Sequence, residues 1–288
     1  MAGSPAHRWG QIIGEVLEAA ILPLLQDFVR QHSLYLDKQG ERPCRKGRKC
    51  TWVDSNGNAH DLDFVLERGG TLEKVGTPVA FIESAWRRYT KHSRNKAQEI
   101  QGALVPLAST YSRFAPFKGA ILAGVFTQGA IAQLKSLGFT VLYFPYTMIL
   151  EAFSRFNIDA SCEEDTPDRI FQAKVKKYER LSSRQRANLA AELTRLNAVQ
   201  VRQFVEALAT TVSRRIDRII VLPLHGVGEE LATLDQAIAF VKEYAGNDGG
   251  GPIQRYEIQI RYSNGDVIEG QFANKQGAID FLQTYRTA

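Results

Sequence analysis

Two apolar segments, each interrupted by carboxylates, constrain this chain more than anything else in it. They read His60-Asp61-Leu62-Asp63-Phe64-Val65-Leu66 and Val79-Ala80-Phe81-Ile82-Glu83-Ser84-Ala85. Both have the character of strands, and a charge inside an apolar strand is costly unless a partner such as a divalent cation offsets it. The span between them, Arg68 to Pro78, is rich in Gly, Thr, Lys and Pro, so the two strands are expected to fold back on each other. A hairpin symmetric about residue 73 sets Asp63 across from Glu83 and Asp61 across from Ala85. Opposed residues lie about 4.5–5.5 Å apart at Cβ. That spacing lets two carboxylates share one Mg²⁺, a cation that favours oxygen ligands. Asp61 shares a face with Asp63 by strand alternation, which makes it a candidate second ligand.

A run of cations follows at once, with Arg87, Arg88, Lys91, Arg94 and Lys96 falling within ten positions. The run leads into a helix that Thr90 or Ser93 would cap, with apolar positions at Ile100, Leu104, Leu107 and Ala108. Upstream, Arg42, Arg45, Lys46, Arg48 and Lys49 form a second basic stretch, read as a flexible loop. Like charges crowded in this way repel on a bare surface and suit a phosphate backbone; a solvated charged face is the plainer alternative. Three readings of the acids stay open. They are strand-edge carboxylates paired with nearby cations, or metal ligands for phosphodiester hydrolysis, or the remnant of a nuclease-like module that only binds nucleic acid. The adjoining cations favour the last two.

The remaining sequence sets bounds. The chain has 288 residues, 44% of them hydrophobic and 23% charged, the balance of a soluble globular protein. Its net charge of +5 suits a polyanionic partner. No apolar run approaches the ~18 residues a membrane span needs, and Met-Ala-Gly-Ser-Pro-Ala-His lacks signal-peptide architecture, so a cytoplasmic protein is expected. Three cysteines make no disulfide framework, and Cys44 and Cys50 with His60 or His32 match no common zinc spacing.

Asn56-Gly57 marks a hairpin turn ahead of the Asp61 strand. Beyond the cationic helix, Lys118 to Phe126 reads as a buried strand, Thr127 caps a helix that Gly138 ends, and Phe139 to Phe144 is a further strand. Strand and helix alternation with an antiparallel hairpin predicts an α/β mixed sheet flanked by helices. Composition shifts at 159–167. Residues 168–213 read as two helices broken near Leu181-Ser182-Ser183, and the remainder as a strand, a helix and a ββα piece around Ser263-Asn264-Gly265-Asp266. A core of residues 1–158 and a C-terminal α/β extension of residues 159–288, serving DNA recognition or dimerisation, follow from this reading.

An N-terminal helix (Trp9 to Arg30), a hairpin carrying Asp63, a strand with Glu83, then a helix and another strand together resemble the PD-(D/E)xK nuclease superfamily over roughly residues 9–145. The resemblance implies a restriction endonuclease-like fold and Mg²⁺-dependent hydrolysis of double-stranded DNA, with Mn²⁺ able to substitute. A homodimer is implied by two-strand cutting at a symmetric site. Asp63 matches the motif Asp and Glu83 the motif acid, while Asp61 is the alternative motif Asp. The expected lysine position holds Ala85. Where the superfamily supplies that lysine from the next helix, Lys96 takes the role here, followed by Lys91 and Arg87. Glu15 corresponds to the helix glutamate that approaches the metal in some members. The DNA-contacting residues implied are Arg45, Lys46, Arg48, Lys49, Arg87, Arg88, Lys91 and Arg94. The rival expectation is a non-catalytic DNA-binding subunit with a degenerate core.

Overall fold

A computed structural model describes residues 4–89, 93–224, 226–245 and 254–286. The chain divides into two units, Met1–Val212 and Ser213–Ala288.

The first unit opens with α1 (Pro5–Gln31). Its start is fixed by Ser4, whose side chain accepts the His7 amide, and by Pro5 at the first helical position. Apolar residues at helical spacing, from Trp9 and Ile12 to Phe28 and Val29, form one buried stripe. The strands β1 (Leu34–Lys38), β4 (Phe64–Arg68), β5 (Thr77–Arg87), β6 (Phe117–Gly124) and β7 (Thr140–Pro145) make a five-stranded sheet in that order. The β1/β4 and β4/β5 pairs are antiparallel, and β5/β6 and β6/β7 are parallel. The fold is therefore α/β with a mixed sheet.

Helices cover both faces of this sheet. One core joins Leu66, Ile82, Ile121 and Phe144 to α1, α4 (Tyr146–Ser154), α5 (Asp168–Glu179), α6 (Ser183–Leu196) and α7 (Ala198–Val212). The other joins Val65, Phe81, Ala85 and Leu122 to α2 (Ser93–Thr110), α3 (Gln128–Ser136) and a separate ribbon of β2 (Cys50–Val53) and β3 (Ala59–Leu62). Thr127 caps α3 as expected, its side chain accepting the Ala130 amide.

The hairpin register agrees with the symmetry about residue 73: Phe64 pairs with Ile82, Val65 with Phe81 and Leu66 with Ala80, before a bulge at Glu67. One continuous strand through Asp61 and Asp63 does not form. The chain bends at Asp63, so Asp61 pairs with Thr51 in the β2/β3 ribbon and not with Ala85.

The unit boundary falls after Val212 and not at 158, because α5 and α6 pack on α1, the first helix of the chain. Residues 168–213 hold three helices. The extra break comes at buried Asn197, which caps α6 and donates its side-chain amide to the Tyr143 carbonyl at 2.8 Å. Lys174 is buried and donates to the Asp159 carbonyl at 2.6 Å.

The second unit contains β8 (Ile216–Pro223), β9 (Glu229–Leu231), α8 (Leu234–Glu243), β10 (Tyr256–Tyr262), β11 (Val267–Phe272) and α9 (Lys275–Thr284). Its sheet runs β11-β10-β8-β9 with β8 and β10 antiparallel at the centre, so two ββα halves face each other. The halves repeat in sequence: Ala237-Ile238-Ala239-Phe240-Val241 with Tyr244 matches Ala278-Ile279-Asp280-Phe281-Leu282 with Tyr285. Each helix carries the same ring pair, Phe240–Tyr244 at 5.4 Å and Phe281–Tyr285 at 5.2 Å between centroids. No helix among the described residues is long and apolar enough to cross a membrane.

Candidate active site

The site forms where the β4/β5 ladder runs out. Past the Phe64–Ile82 pair, backbone bonding gives way to side chains. The Asp63 amide donates to Glu83 Oε1 at 3.1 Å, and the Ser84 amide and hydroxyl both donate to Asp63 Oδ2 at 2.7 Å. Strand alternation groups Glu83 with Phe81 and Ala85 on the α2 face, and Ser84 with Ile82 and Trp86 on the α1 face. Asp63, in the bend, bonds to both residues. Among the described residues, Asp63 Oδ1 and Glu83 Oε2 accept no hydrogen bond.

Glu83 is only 8% exposed, and its carboxyl is pushed up to about 8. Burial is the largest cause and the Asp63 charge the second, while Lys96 pulls the other way. Lys96, on α2, is the cation whose charge reaches Glu83. Its Nζ lies 3.2 Å from Glu99 Oε2, and the same carboxylate oxygen stands 3.7 Å from an Arg87 nitrogen. Lys91 lies outside the described residues.

Two clefts open beside the pair. One, of about 650 Å³, is lined by His7, Gln11, Ser84, Trp86, Arg87 and Lys96 among others. The second, of about 300 Å³, includes Asp63, Glu15, Glu18, Lys38 and Gln39. Glu15 pairs with Arg8 at 2.6 Å, so the helix acid that couples to Asp63 is Glu18, one turn further along α1. The Glu18 carboxyl is raised first by the cover of surrounding chain and then by the Asp63 and Glu15 charges, with Lys38 opposing. Asp61 stays apart. It accepts from Lys49 at 2.6 Å and Thr51 at 2.6 Å, contacts that hold its carboxyl below the usual range. Among the described residues, no three His, Cys, Asp or Glu side chains gather as a metal-binding group.

The basic stretch of residues 42–49 is not one free loop. Arg42 is buried and holds Glu67 through Nη1 at 2.6 Å and Nη2 at 3.0 Å, and Asp37 at 2.9 Å. Burial acts to lower its guanidinium, but the bonds to Glu67 and Asp37 hold it above its ordinary value. Arg45, expected to contact DNA, is nearly buried against Asp37 at 3.1 Å and the Lys38 carbonyl at 3.0 Å. Arg88 is likewise committed, donating to the Ala6 carbonyl at 3.0 Å and lying 4.7 Å over the Phe171 ring. Lys46, Arg48 and Arg94 are exposed. Cys50 is buried, and that burial, with the Asp37 charge beside it, raises its thiol.

Sequence reasoning passed over Glu18, Glu99 and the Ser84 hydroxyl. The first two were accessible through helical spacing, since each stands three residues after a named candidate, Glu15 and Lys96. No family model, no curated protein and no solved structure matches this chain.

Proposed function

We propose that the first unit is a divalent-cation-dependent phosphodiester hydrolase acting on DNA, of restriction endonuclease-like type, with Mg²⁺ or Mn²⁺ as the cation. The observation that carries this reading is the unequal treatment of two acid pairs in one sheet. Asp37 and Glu67 are neutralised by buried Arg42 and Arg45, whereas Asp63 and Glu83 have no arginine at hydrogen-bond distance among the described residues. A buried carboxylate without a counter-charge favours its protonated form, and a cation at the pair reverses that preference.

The donors fit such an ion. Asp63 Oδ1 and Glu83 Oε2 are hard oxygens with capacity left, and this class of ion takes one or two carboxylates with waters and phosphate completing its shell. When bound, it lowers the pKa of a coordinated water and polarises phosphate. The chain's own residues supply the rest. Asp63 and Glu83 fix the reacting end of the sheet, Ser84 orders Asp63, and Lys96 offers a positive charge to an oxyanion developing beside Glu83. Glu99 holds Lys96 and Arg87 at the cleft until phosphate competes for them.

Charge distribution agrees with a polyanion at the first unit, which carries 28 Lys and Arg against 21 Asp and Glu; the second carries 8 against 10. A role for the second unit in assembly, including a homodimer, therefore fits better than DNA recognition.

The test is plasmid cleavage with Mg²⁺, comparing the parent with Glu83→Ala. Loss of cutting by at least the ~10–100-fold that outer-shell changes cost at metal sites, with DNA binding retained, supports the reading. A parent that binds DNA but cuts nothing favours the non-catalytic DNA-binding subunit, a rival that draws on Ala85 standing where the motif lysine belongs.

A further inference from the structure

The end of the β4/β5 ladder is closed by an unusual exchange. Where a next backbone pair would form, Asp63 donates its amide to the Glu83 carboxylate and receives both donors of Ser84 on a single oxygen, Oδ2. The two Ser84 bonds are 2.7 Å each, the length expected of charge-assisted bonds to a carboxylate. Together they fix the torsion of a side chain that sits in a bend outside any strand. They also consume Oδ2 and leave Oδ1 as the oxygen with bonding capacity. Ser84 is half-buried and lines the larger cleft together with Lys96, so its hydroxyl lies where that cleft meets the acid pair.

We propose that Ser84 is the positioning residue of the cation site: its hydroxyl holds Asp63 so that one oxygen is presented as a ligand while the other is withheld. This rests on the reading of Asp63 and Glu83 as cation ligands. The backbone amide alone cannot do the same, because a single bond leaves the carboxylate free to turn about it. A hydroxyl added at the same oxygen removes that freedom. Holding the ligand in place before binding lowers the ordering cost that the ion would otherwise meet. The effect therefore falls on cation affinity and not on the chemical step.

The experiment is a titration of the full chain with Mn²⁺, read by calorimetry and by loss of the free-ion electron spin resonance signal, for the parent, Ser84→Ala and Ser84→Thr. Ser84→Ala is expected to weaken Mn²⁺ binding by about 10–100-fold, the range for groups that orient metal ligands. Ser84→Thr, which keeps the hydroxyl, recovers most of it. Cleavage by Ser84→Ala should return toward the parent rate as Mn²⁺ is raised, a shift in cation requirement with kcat largely kept. A hydroxyl that merely ties down the strand end would instead lower the metal-free melting temperature and leave Mn²⁺ affinity within about threefold, and that result overturns the proposal. A parent that takes up no Mn²⁺ at all removes the underlying cation reading, an outcome distinct from parent and Ser84→Ala binding equally.

Discussion

Two pairs of acids at the same five-stranded sheet, one fully buried and one in which Glu83 is buried and Asp63 half-buried, are treated in opposite ways. Around β1 and β4, Asp37 and Glu67 lie 3% and 0% exposed and are gripped by Arg42 and Arg45, with the Gly76 amide adding a bond to Glu67 at 2.6 Å. At the far end of β4, Asp63 and Glu83 meet an amide, a serine and a lysine that is itself tied to Glu99. The first pair is an internal reference for what a structural acid cluster looks like in this protein: closed, bidentate and charge-balanced. The second departs from it in each respect. Burial of an acid in this sheet is therefore not in itself a sign of chemistry; what sets Glu83 apart is burial with no cation at hydrogen-bond distance among the described residues.

The largest expected effect comes from spoiling the reference. Arg42 also donates to the Thr71 and Lys74 carbonyls, so its loss strands two buried carboxylates and unties the β4–β5 connection. Arg42→Met should cost about 3–5 kcal/mol, the usual penalty for removing one partner of a buried ion pair. Urea denaturation measures it, and a loss below ~1 kcal/mol would mean the two pairs are not as different as their contacts indicate.

Glu83 should behave in the reverse sense. Its carboxyl is pushed up to about 8 in the fold against an ordinary 4.5, so the folded chain holds a proton that the unfolded chain releases. The stability from this group is fully present below pH 4.5 and is lost as pH rises through 8, with a slope of up to ~1.4 kcal/mol per pH unit between. Glu83→Gln should abolish that slope and raise stability at pH 9 relative to the parent. Mg²⁺ should flatten the slope in the parent alone, because a bound cation prefers the carboxylate. Urea midpoints at pH 5 to 9, with and without Mg²⁺, give the answer, and an identical slope in parent and variant contradicts the assignment.

How much of this contrast could be read from the residues follows from the range of each interaction. The Asp63–Glu83 register was legible because a short hairpin with one apolar pattern per strand permits few alignments. The buried arginines were not, because their acids stand elsewhere in sequence: Arg42 reaches Glu67, and Arg45 reaches back to Asp37. A basic run looks the same whether it meets solvent or a folded acid. The bend at Asp63 was hidden for a similar reason, since alternation continues through Asp61 and only pairing with Thr51 takes that residue away. The C-terminal repeat, by contrast, was present in the letters at Ala237-Ile238 and Ala278-Ile279 and needed only a comparison of the chain with itself. The boundary after Val212 depends on α5 and α6 finding α1 across more than a hundred residues, which no local pattern states.

The smallest predicted effect separates Asp61 from the pair it was expected to join. Asp61 is half exposed, and its bonds to Lys49 and Thr51 belong to the ribbon. Its lowered carboxyl means any contribution to stability is present above pH 3.8 and fades as pH falls below it. Exposed ion pairs of this kind are worth roughly 0.2–1 kcal/mol. Asp61→Asn should therefore shift the urea midpoint only slightly, leave Mn²⁺ binding within about twofold, and reduce cleavage far less than Glu83→Ala. A loss of Mn²⁺ affinity in Asp61→Asn comparable to that in Glu83→Ala would show that the ribbon closes onto the site when the cation binds. The bend at Asp63 would then be a hinge, and Asp61 the further ligand that strand alternation first suggested.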